Sequence, residues 1–446
     1  MIEILAPIDS VAKLCGPQKD TSILPYRLSH HCVKADCPDG TLLYHTLTGA
    51  VYLLPTGESI EMARDALIEK WLLVPQDFDE NTYADQLRHV ASLIKPTAKH
   101  KHHFTILTTT DCNARCRYCY EMGRQRIPMS VETANAAAQY ICRQSGGDRP
   151  LNLFWFGGEP LYNMPAIDTI TGHLRNCGVT FRSTMTSNGF YLTPDVVKKA
   201  VENWALAGVQ ITVDGTEKIY NRVKAYIDDC DNPFARVMDN ITAALAAGIQ
   251  VTIRLNMDRQ NAEDISLVID QICTRFQGQK KCNVYVALLK SYKAKINEFN
   301  TEQEMLDCFF RLRDKIKNYG MLRTVPLKRE IVLNRCKADN DACEIILPDG
   351  QLERCHHYTE GEQYGDIFHS DRDWQRVNAW KEIQKDYPTC ATCAMYPICL
   401  NLKKCDWNKD GCTQSSRVIW LRELQEQMRI HYESWAEGIR EKQGGE

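Results

Sequence analysis

The stretch FTILTTTDCNARCRYC, residues 104–119, opens on an apolar, β-branched run and closes on three cysteines spaced Cys112-x3-Cys116-x2-Cys119. Phe104 to Thr108 reads as a buried strand. Three thiolates this close, with no fourth Cys or His nearby, can ligate three irons of a cubane cluster and leave one iron without a protein ligand. An open metal position is where a substrate or cosubstrate binds, here by chelation through an amine and a carboxylate. A zinc knuckle completed by a distant His has the same local spacing and stays open at this point.

Downstream the strand signal recurs at Leu151 to Phe156, Phe181 to Thr186, Val209 to Val213, Gln250 to Asn256 and Asn283 to Leu289. Helical windows near 131–144, 164–176, 194–205, 234–247 and 262–276 lie between these runs. Six strands alternating with helices predict an α/β fold with a parallel sheet, open or curled into a partial barrel. The strand ends are polar or Gly-rich: Gly157-Gly158-Glu159-Pro160, Ser187-Asn188-Gly189, Thr212-Val213-Asp214-Gly215 and Arg254-Leu255-Asn256. Ligands bind at such ends in parallel α/β folds. Asn188-Gly189 alone reads as a turn, but four clusters in register with the cysteine loop point to a site. Two glycines permit close backbone approach, and Glu159 suits an ammonium group.

At 446 residues the chain exceeds one typical domain. Lys plus Arg is 54 against 57 Asp plus Glu, a net charge of −3, which speaks against nucleic-acid or polybasic membrane binding. The N-terminus lacks a signal-peptide pattern, and no run reaches the ~18 apolar residues of a membrane span. A soluble, cytoplasmic protein is expected, and its 20 cysteines read as metal ligands rather than disulfides.

Strand-like runs at Tyr26 to Val33, Leu42 to His45 and Val51 to Leu54 are followed by helical patterns on Ala63, Leu67, Trp71 and on Leu87, Val90, Ile94. Residues 1–95 therefore read as a small α+β unit. Residues 96–103 read as a linker and 104–290 as the α/β region. A helical connector carrying Leu306, Phe309, Phe310 and Leu312 covers 291–335, and a packed helix occupies 413–446.

Residues 336–412 are rich in loops and cysteine. They run Cys336-x6-Cys343, then Cys355, then Cys390-x2-Cys393-x5-Cys399-x5-Cys405-x6-Cys412. Eight thiolates suffice for two fully ligated four-iron clusters, and two zinc sites of four cysteines each are the competing reading.

Taken together, the sequence resembles the radical S-adenosylmethionine (SAM) enzymes in Cys112, Cys116, Cys119, the aromatic Tyr118 and Gly157-Gly158-Glu159-Pro160. The C-terminal block resembles their SPASM extension. The resemblance implies a partial (β/α)6 TIM-like barrel and a 4Fe–4S cluster whose open iron holds SAM. Gly157 to Glu159, with Pro160 completing the motif, would contact the SAM amino group. Ser187 and Asn188 would face the ribose, and Arg254 the polar end. Thr212, Asp214 and Lys224 stand where the family often carries Ser, Asp and Arg, a departure that bears on the carboxylate contacts. By order, Cys336, Cys343, Cys355 and Cys405 would hold a first auxiliary 4Fe–4S cluster, and Cys390, Cys393, Cys399 and Cys412 a second. The five-residue gap before Cys405 departs from the usual three. The other nine cysteines read as buried thiols.

SPASM-type enzymes mostly act on peptides. Residues 1–95 resemble the small winged-helix-like peptide-recognition domain of natural-product peptide maturases, with a generic barrel cap as the other reading. An open strand edge there would take a leader peptide as an added strand. The resemblance thus implies an oxidoreductase that modifies a ribosomally made precursor peptide by a thioether, carbon–carbon or ether cross-link. Its electron donor would be a flavodoxin or ferredoxin. Sulfatase maturation is an alternative, but Cys355 is followed by His356-His357-Tyr358 where that family has an Asp base. His356 or His357 is either a proton acceptor or structural. A non-enzymatic iron–sulfur carrier or zinc-dependent binding protein is the third reading.

Overall fold

The computed structural model describes residues 3–15, 25–94, 99–147, 149–289, 298–357, 361–383, 387–399, 402–405 and 412–443. The first residues of the expected linker, the boundary at 290 and Tyr358 lie outside them. The chain forms two compact units, which regroup the segments expected from sequence.

One unit gathers Met1–Thr97, Thr324–Asn340 and Ala379–Glu446. Its strands are β1 (Glu3–Ala6), β2 (Tyr26–Leu28), β3 (Cys32–Cys37), β4 (Gly40–His45), β5 (Val51–Pro55) and β6 (Leu73–Pro75). They form an antiparallel sheet in the order β1-β5-β4-β3 and a separate β2–β6 pair. The expected Tyr26 to Val33 run is split, because the backbone changes partners between the two sheets. Ser29 N–H donates to Leu72 O, and Thr46 N–H donates to His31 O. The expected helix through Ala63, Leu67 and Trp71 spans Arg64–Glu69 and stops before Trp71, which is left-handed at φ 66°.

The C-terminal helix, Gln414–Gln443, places Leu424, Met428, Tyr432 and Ala436 on one stripe at four-residue spacing. That stripe is buried against Val33, Ala35, Leu42, Tyr44 and Leu53. The two ends of the chain therefore share one hydrophobic core. Gln425 Nε2 and Arg429 Nε also donate to the main-chain oxygens of Lys34 and Asp36 on edge strand β3, which blunts that edge.

Two histidines in this unit are buried neutral. Burial lowers His31 to about 4, against a smaller opposing pull from Glu80. Burial, with His31 nearby, lowers His45 to about 3. Neither ring nitrogen of His31 has a hydrogen-bond partner among the described residues. In the unfolded chain both imidazoles take up protons below about 6.5. Their contribution to stability is therefore complete above about pH 6.5 and is lost as pH falls toward 4 and 3. Two protons give a limiting slope of about 2.7 kcal/mol per pH unit. Urea midpoints measured from pH 7 to pH 4.5 are expected to fall steeply, and His45→Gln to flatten the fall. Midpoints independent of pH over that range would show that these rings are not held neutral.

The other unit gathers Ala98–Arg323 and Asp341–Asn378. Strands β7 (His103–Thr109), β8 (Leu151–Gly157), β9 (Phe181–Ser187), β10 (Leu206–Val213), β11 (Gln250–Met257) and β12 (Cys282–Leu288) are parallel and adjacent in sequence order. Helices Val131–Ser145, Met164–Asn176, Pro194–Trp204, Pro233–Ala246 and Ala262–Phe276 fill the expected windows. Ser130 and Asn232 cap two of them, and proline opens three. This is the strand order of a partial (β/α)6 barrel.

One helix and three strands are additions to the expected pattern. A helix, Glu217–Lys224, stands between β10 and the Pro233–Ala246 helix. Strand β13 (Cys343–Ile346) lies parallel to β7, followed by β14 (Gln351–Glu353) and β15 (Gly365–Asp366) in antiparallel pairing. Helix Glu302–Asn318 buries Leu306, Phe309, Phe310 and Leu312 as anticipated.

Of the nine cysteines read as buried thiols, Cys273 and Cys282 are buried. Cys177, a helix C-cap, is exposed, and the other six are half-buried. Among the described residues no helix is long and apolar enough to cross a membrane.

Candidate active site

The cysteine loop leaves the end of β7 and is held by its own backbone. Asp111 Oδ1 accepts from Cys112 N–H at 2.8 Å, and Cys112 Sγ accepts from Ala114 N–H at 3.3 Å. Cys119 N–H donates to Cys116 O, and Arg115 N–H reaches Lys224 O at 2.8 Å. Asn113, fully buried, accepts from Asn188 Nδ2 at 2.7 Å and donates to Asp228 at 2.8 Å. The same Asn188 nitrogen lies 3.8 Å from Cys112 Sγ.

Burial, then Glu159, pushes the Cys112 thiol up to about 12. Burial likewise raises Cys116, and it raises Cys119 to about 11. Thiols this reluctant to ionise become ligands only when a cation offsets the charge. Among the described residues, three donors within 4.8 Å of one another, as one ion requires, occur at a single place, and that place is not this loop.

The glycines at the end of β8 serve this loop. A Cβ on Gly157 would stand 2.1 Å from Thr109 O, and one on Gly158 would stand 2.2 Å from Asp111 O. Gly157, at φ 127°, and Gly158 let the end of β8 lie against the start of the cysteine loop, with Gly158 N–H on Thr109 O and Glu159 N–H on Asp111 O. Pro160 opens a 3-10 turn, and its carbonyl accepts from Thr108 Oγ1 at 3.0 Å.

Glu159 is buried and accepts from Leu161 N–H (3.0 Å), Ser187 Oγ (2.8 Å) and Asn188 N–H (2.7 Å). Burial pushes it up to about 7 despite these bonds. The carboxyl group therefore joins the ends of β8 and β9 and orients Ser187 and Asn188.

A second polar network ties the loop to β10 and β11. Lys224 Nζ lies 2.8 Å from Asp214 Oδ2, 2.6 Å from Thr212 Oγ1 and 3.2 Å from the Tyr118 hydroxyl. Tyr118 donates to Asp214 at 2.7 Å, and Asn256 Nδ2 donates to the other Asp214 oxygen at 2.9 Å. Burial opposes the lysine's charge, but Asp214 and then Tyr118 hold its pKa well above the usual lysine range. An ammonium has three protons, and here each has a partner inside the protein.

Arg254 is different. Its Nε is buried and has no partner among the described residues. An orphaned guanidinium donor fits an anionic group such as a carboxylate. On β8, Phe154 and Phe156 stack at 5.5 Å, and His356 meets Phe156 edge-on at 5.0 Å. His357 packs against Tyr120, and burial, then Arg254, lowers it to about 4.

The C-terminal cysteines divide. Cys343 is buried on β13, Cys355 and Cys405 are half-buried and Cys336 is exposed. Cys390, Cys393, Cys399 and Cys412 are neighbours. Burial raises Cys390, with Cys393 and Cys412 adding to it, and burial raises Cys399 to about 12 subject to Arg335, Cys393 and Cys390. Arg335 is buried here, with Nε and Nη2 unpaired among the described residues. An anionic cluster held by these four thiols fits two such unmet donors.

Sequence reasoning passed over Asn113 and Asn256. Both lay in motifs already quoted, and an Asn inside a ligand loop was the signal available for the first.

Parallel strands with a three-cysteine loop at their C-terminal ends form the candidate site. Residues 106–272 match the family model described as the Radical SAM superfamily, and the chain carries a radical SAM domain. A probable GTP 3′,8-cyclase of Methanocella arvoryzae is 27% identical over 172 residues, 37% of this chain and 52% of that protein. The chain thus spans about half the length of this curated relative. Among solved structures, anSMEcpe with bound AdoMet and the Cp18Cys peptide superposes with TM-score 0.56 at 14% identity, covering 76% of this chain and 99% of that one. Streptococcus suis SuiB bound to its precursor peptide SuiA superposes with TM-score 0.53 at 13% identity, covering 87% and 95%. At these identities the shared property is the fold.

Proposed function

We propose that this protein is a radical SAM peptide maturase of the SPASM type, acting in the cytoplasm on a ribosomally made precursor peptide. The observation that carries the reading is the cysteine loop, fixed by Glu159, Asn188 and Lys224 at the C-terminal ends of parallel strands. Cys112, Cys116 and Cys119 would hold the SAM-binding 4Fe–4S cluster. With SAM bound there, the cluster would supply one-electron reductive chemistry for removing a hydrogen atom from the peptide.

The chain's own residues do the rest. Gly157 to Pro160 set the wall beside the loop, and Ser187 and Asn188 present oriented polar groups to the ribose side. Arg254 receives the SAM carboxylate, a role that the fully engaged Lys224 cannot share without losing a bond. Phe154 and Phe156 supply an apolar wall that keeps water from a carbon radical. Cys390, Cys393, Cys399 and Cys412 would hold one auxiliary cluster, and Cys336, Cys343, Cys355 and Cys405 the other. Flavodoxin or ferredoxin would deliver the electron. Residues 1–95 would bind the leader peptide. Two solved proteins of the same fold carry peptides, which supports a peptide substrate here, with a thioether, carbon–carbon or ether cross-link as product.

The test is anaerobic reconstitution with iron, sulfide, dithionite and SAM, with and without a short precursor peptide encoded beside the gene. Expected are 5′-deoxyadenosine and a peptide lighter by two hydrogens. Conversion of a Cys or Ser peptide to formylglycine would favour sulfatase maturation instead. Full iron content without nucleoside would sink the enzymatic reading.

A further inference from the structure

Two cysteines and one histidine that the barrel site leaves unused come together on the helices. Cys142 lies in the last turn of Val131–Ser145. His173 lies in the last turn of Met164–Asn176, and Cys177 is that helix's C-cap, its N–H donating to His173 O at 3.0 Å. His173 and Cys177 are four residues apart and so share one face. Cys142 arrives from the neighbouring helix. One ligand atom from each of the three lies within 4.8 Å of the others.

We propose that Cys142, His173 and Cys177 form a zinc site with two thiolate ligands, one imidazole and water in the fourth position. Two thiolates and an imidazole are a soft, borderline donor set, which suits Zn2+ and not Mg2+ or Ca2+. Zinc bond lengths of about 2.3 Å to sulfur and about 2.0 Å to nitrogen set tetrahedral donors roughly 3.5–3.8 Å apart. Donors already within 4.8 Å reach that geometry by closing about 1 Å, within the reach of side-chain rotation. Cys177 is exposed while Cys142 and His173 are half-buried, so the ion has an entry path and its water a place. The ion would staple the two barrel helices that precede β8 and β9. A disulfide between Cys142 and Cys177 would use the same thiols but leave His173 without a part in the cluster.

The experiment uses cluster-loaded protein. Zinc chloride is added under reducing conditions, excess is removed by gel filtration, and zinc and iron per chain are measured by elemental analysis. The parent is expected to retain one more zinc than a Cys142→Ser/Cys177→Ser double variant, with iron content and 5′-deoxyadenosine formation equal in the two. His173→Ala is expected to lose its zinc to a chelator that the parent resists. Thermal melting supplies a second measurement, with zinc raising the parent's midpoint and leaving the double variant's unchanged. Equal zinc in parent and double variant would overturn the site. So would a parent that binds no zinc and, before reduction, titrates two fewer thiols than after it, which is the mark of a disulfide.

Discussion

A Cys116→Ala chain is expected to reconstitute with about four fewer irons than the roughly twelve of a three-cluster parent, and to form no 5′-deoxyadenosine above a protein-free control. The physical reason is the ligand count. Three thiolates are the fewest that hold a cubane while leaving one iron open, and two would leave half the irons exposed to solvent and chelators. Cys116 is the informative position because its surroundings persist without it. The loop stays pinned through Arg115 N–H on Lys224 O at 2.8 Å, Asn113 on Asn188, and Cys112 N–H on Asp111. Loss of function would then report the missing thiolate and not a collapsed loop. The Cys142→Ser/Cys177→Ser chain provides the control, since it too lacks thiols and should keep the full rate. Nucleoside formation at the parent rate in Cys116→Ala would mean that the cluster-bearing loop has been misassigned.

The barrel was legible because β7 to β12 are short strand-like runs separated by helical windows, and β8 to β11 carry polar or Gly residues at their C-terminal ends, signals that local sequence carries. Strand β13 was not legible. It pairs with β7 from more than 200 residues downstream, and nothing in Cys343 to Ile346 names its partner. Helix Glu217–Lys224 escaped for another reason: one of its three buried side chains is a lysine, which a hydrophobic-periodicity reading scores as a solvent position.

At the site, sequence could nominate residues but not their pairings. Gly157 and Gly158 looked like an approach to a ligand, and the backbone they admit is that of the cysteine loop. Glu159 looked free to take an ammonium, and its oxygens are engaged by Ser187, Asn188 and Leu161. The His173-x3-Cys177 spacing is visible in the sequence, whereas Cys142 joins it only through helix packing.

Lys224→Met is expected to destabilise the barrel unit by about 3–5 kcal/mol, the cost of leaving one member of a buried ion pair without its partner. The Lys224 and Asp214 side chains are 2% and 0% exposed, and their charged atoms are 2.8 Å apart. Methionine keeps much of the lysine's volume, so the loss is electrostatic and not a cavity. Asp214 would retain Tyr118 at 2.7 Å and Asn256 at 2.9 Å, which places the expected cost toward the lower end of that range. Adding Asp214→Asn removes the stranded charge and is expected to restore more than half of the loss. That non-additivity is what a direct pair produces and two independent sites do not. Lys224→Arg is expected to fail as a substitute, because a planar fork cannot serve three partners arranged around a point charge. The measurement is the denaturant midpoint of each variant, read alongside KM for SAM. A Lys224→Met chain with the parent midpoint and a sharply raised KM would place the ammonium on the cosubstrate and not on Asp214, and would return the carboxylate contact from Arg254 to Lys224.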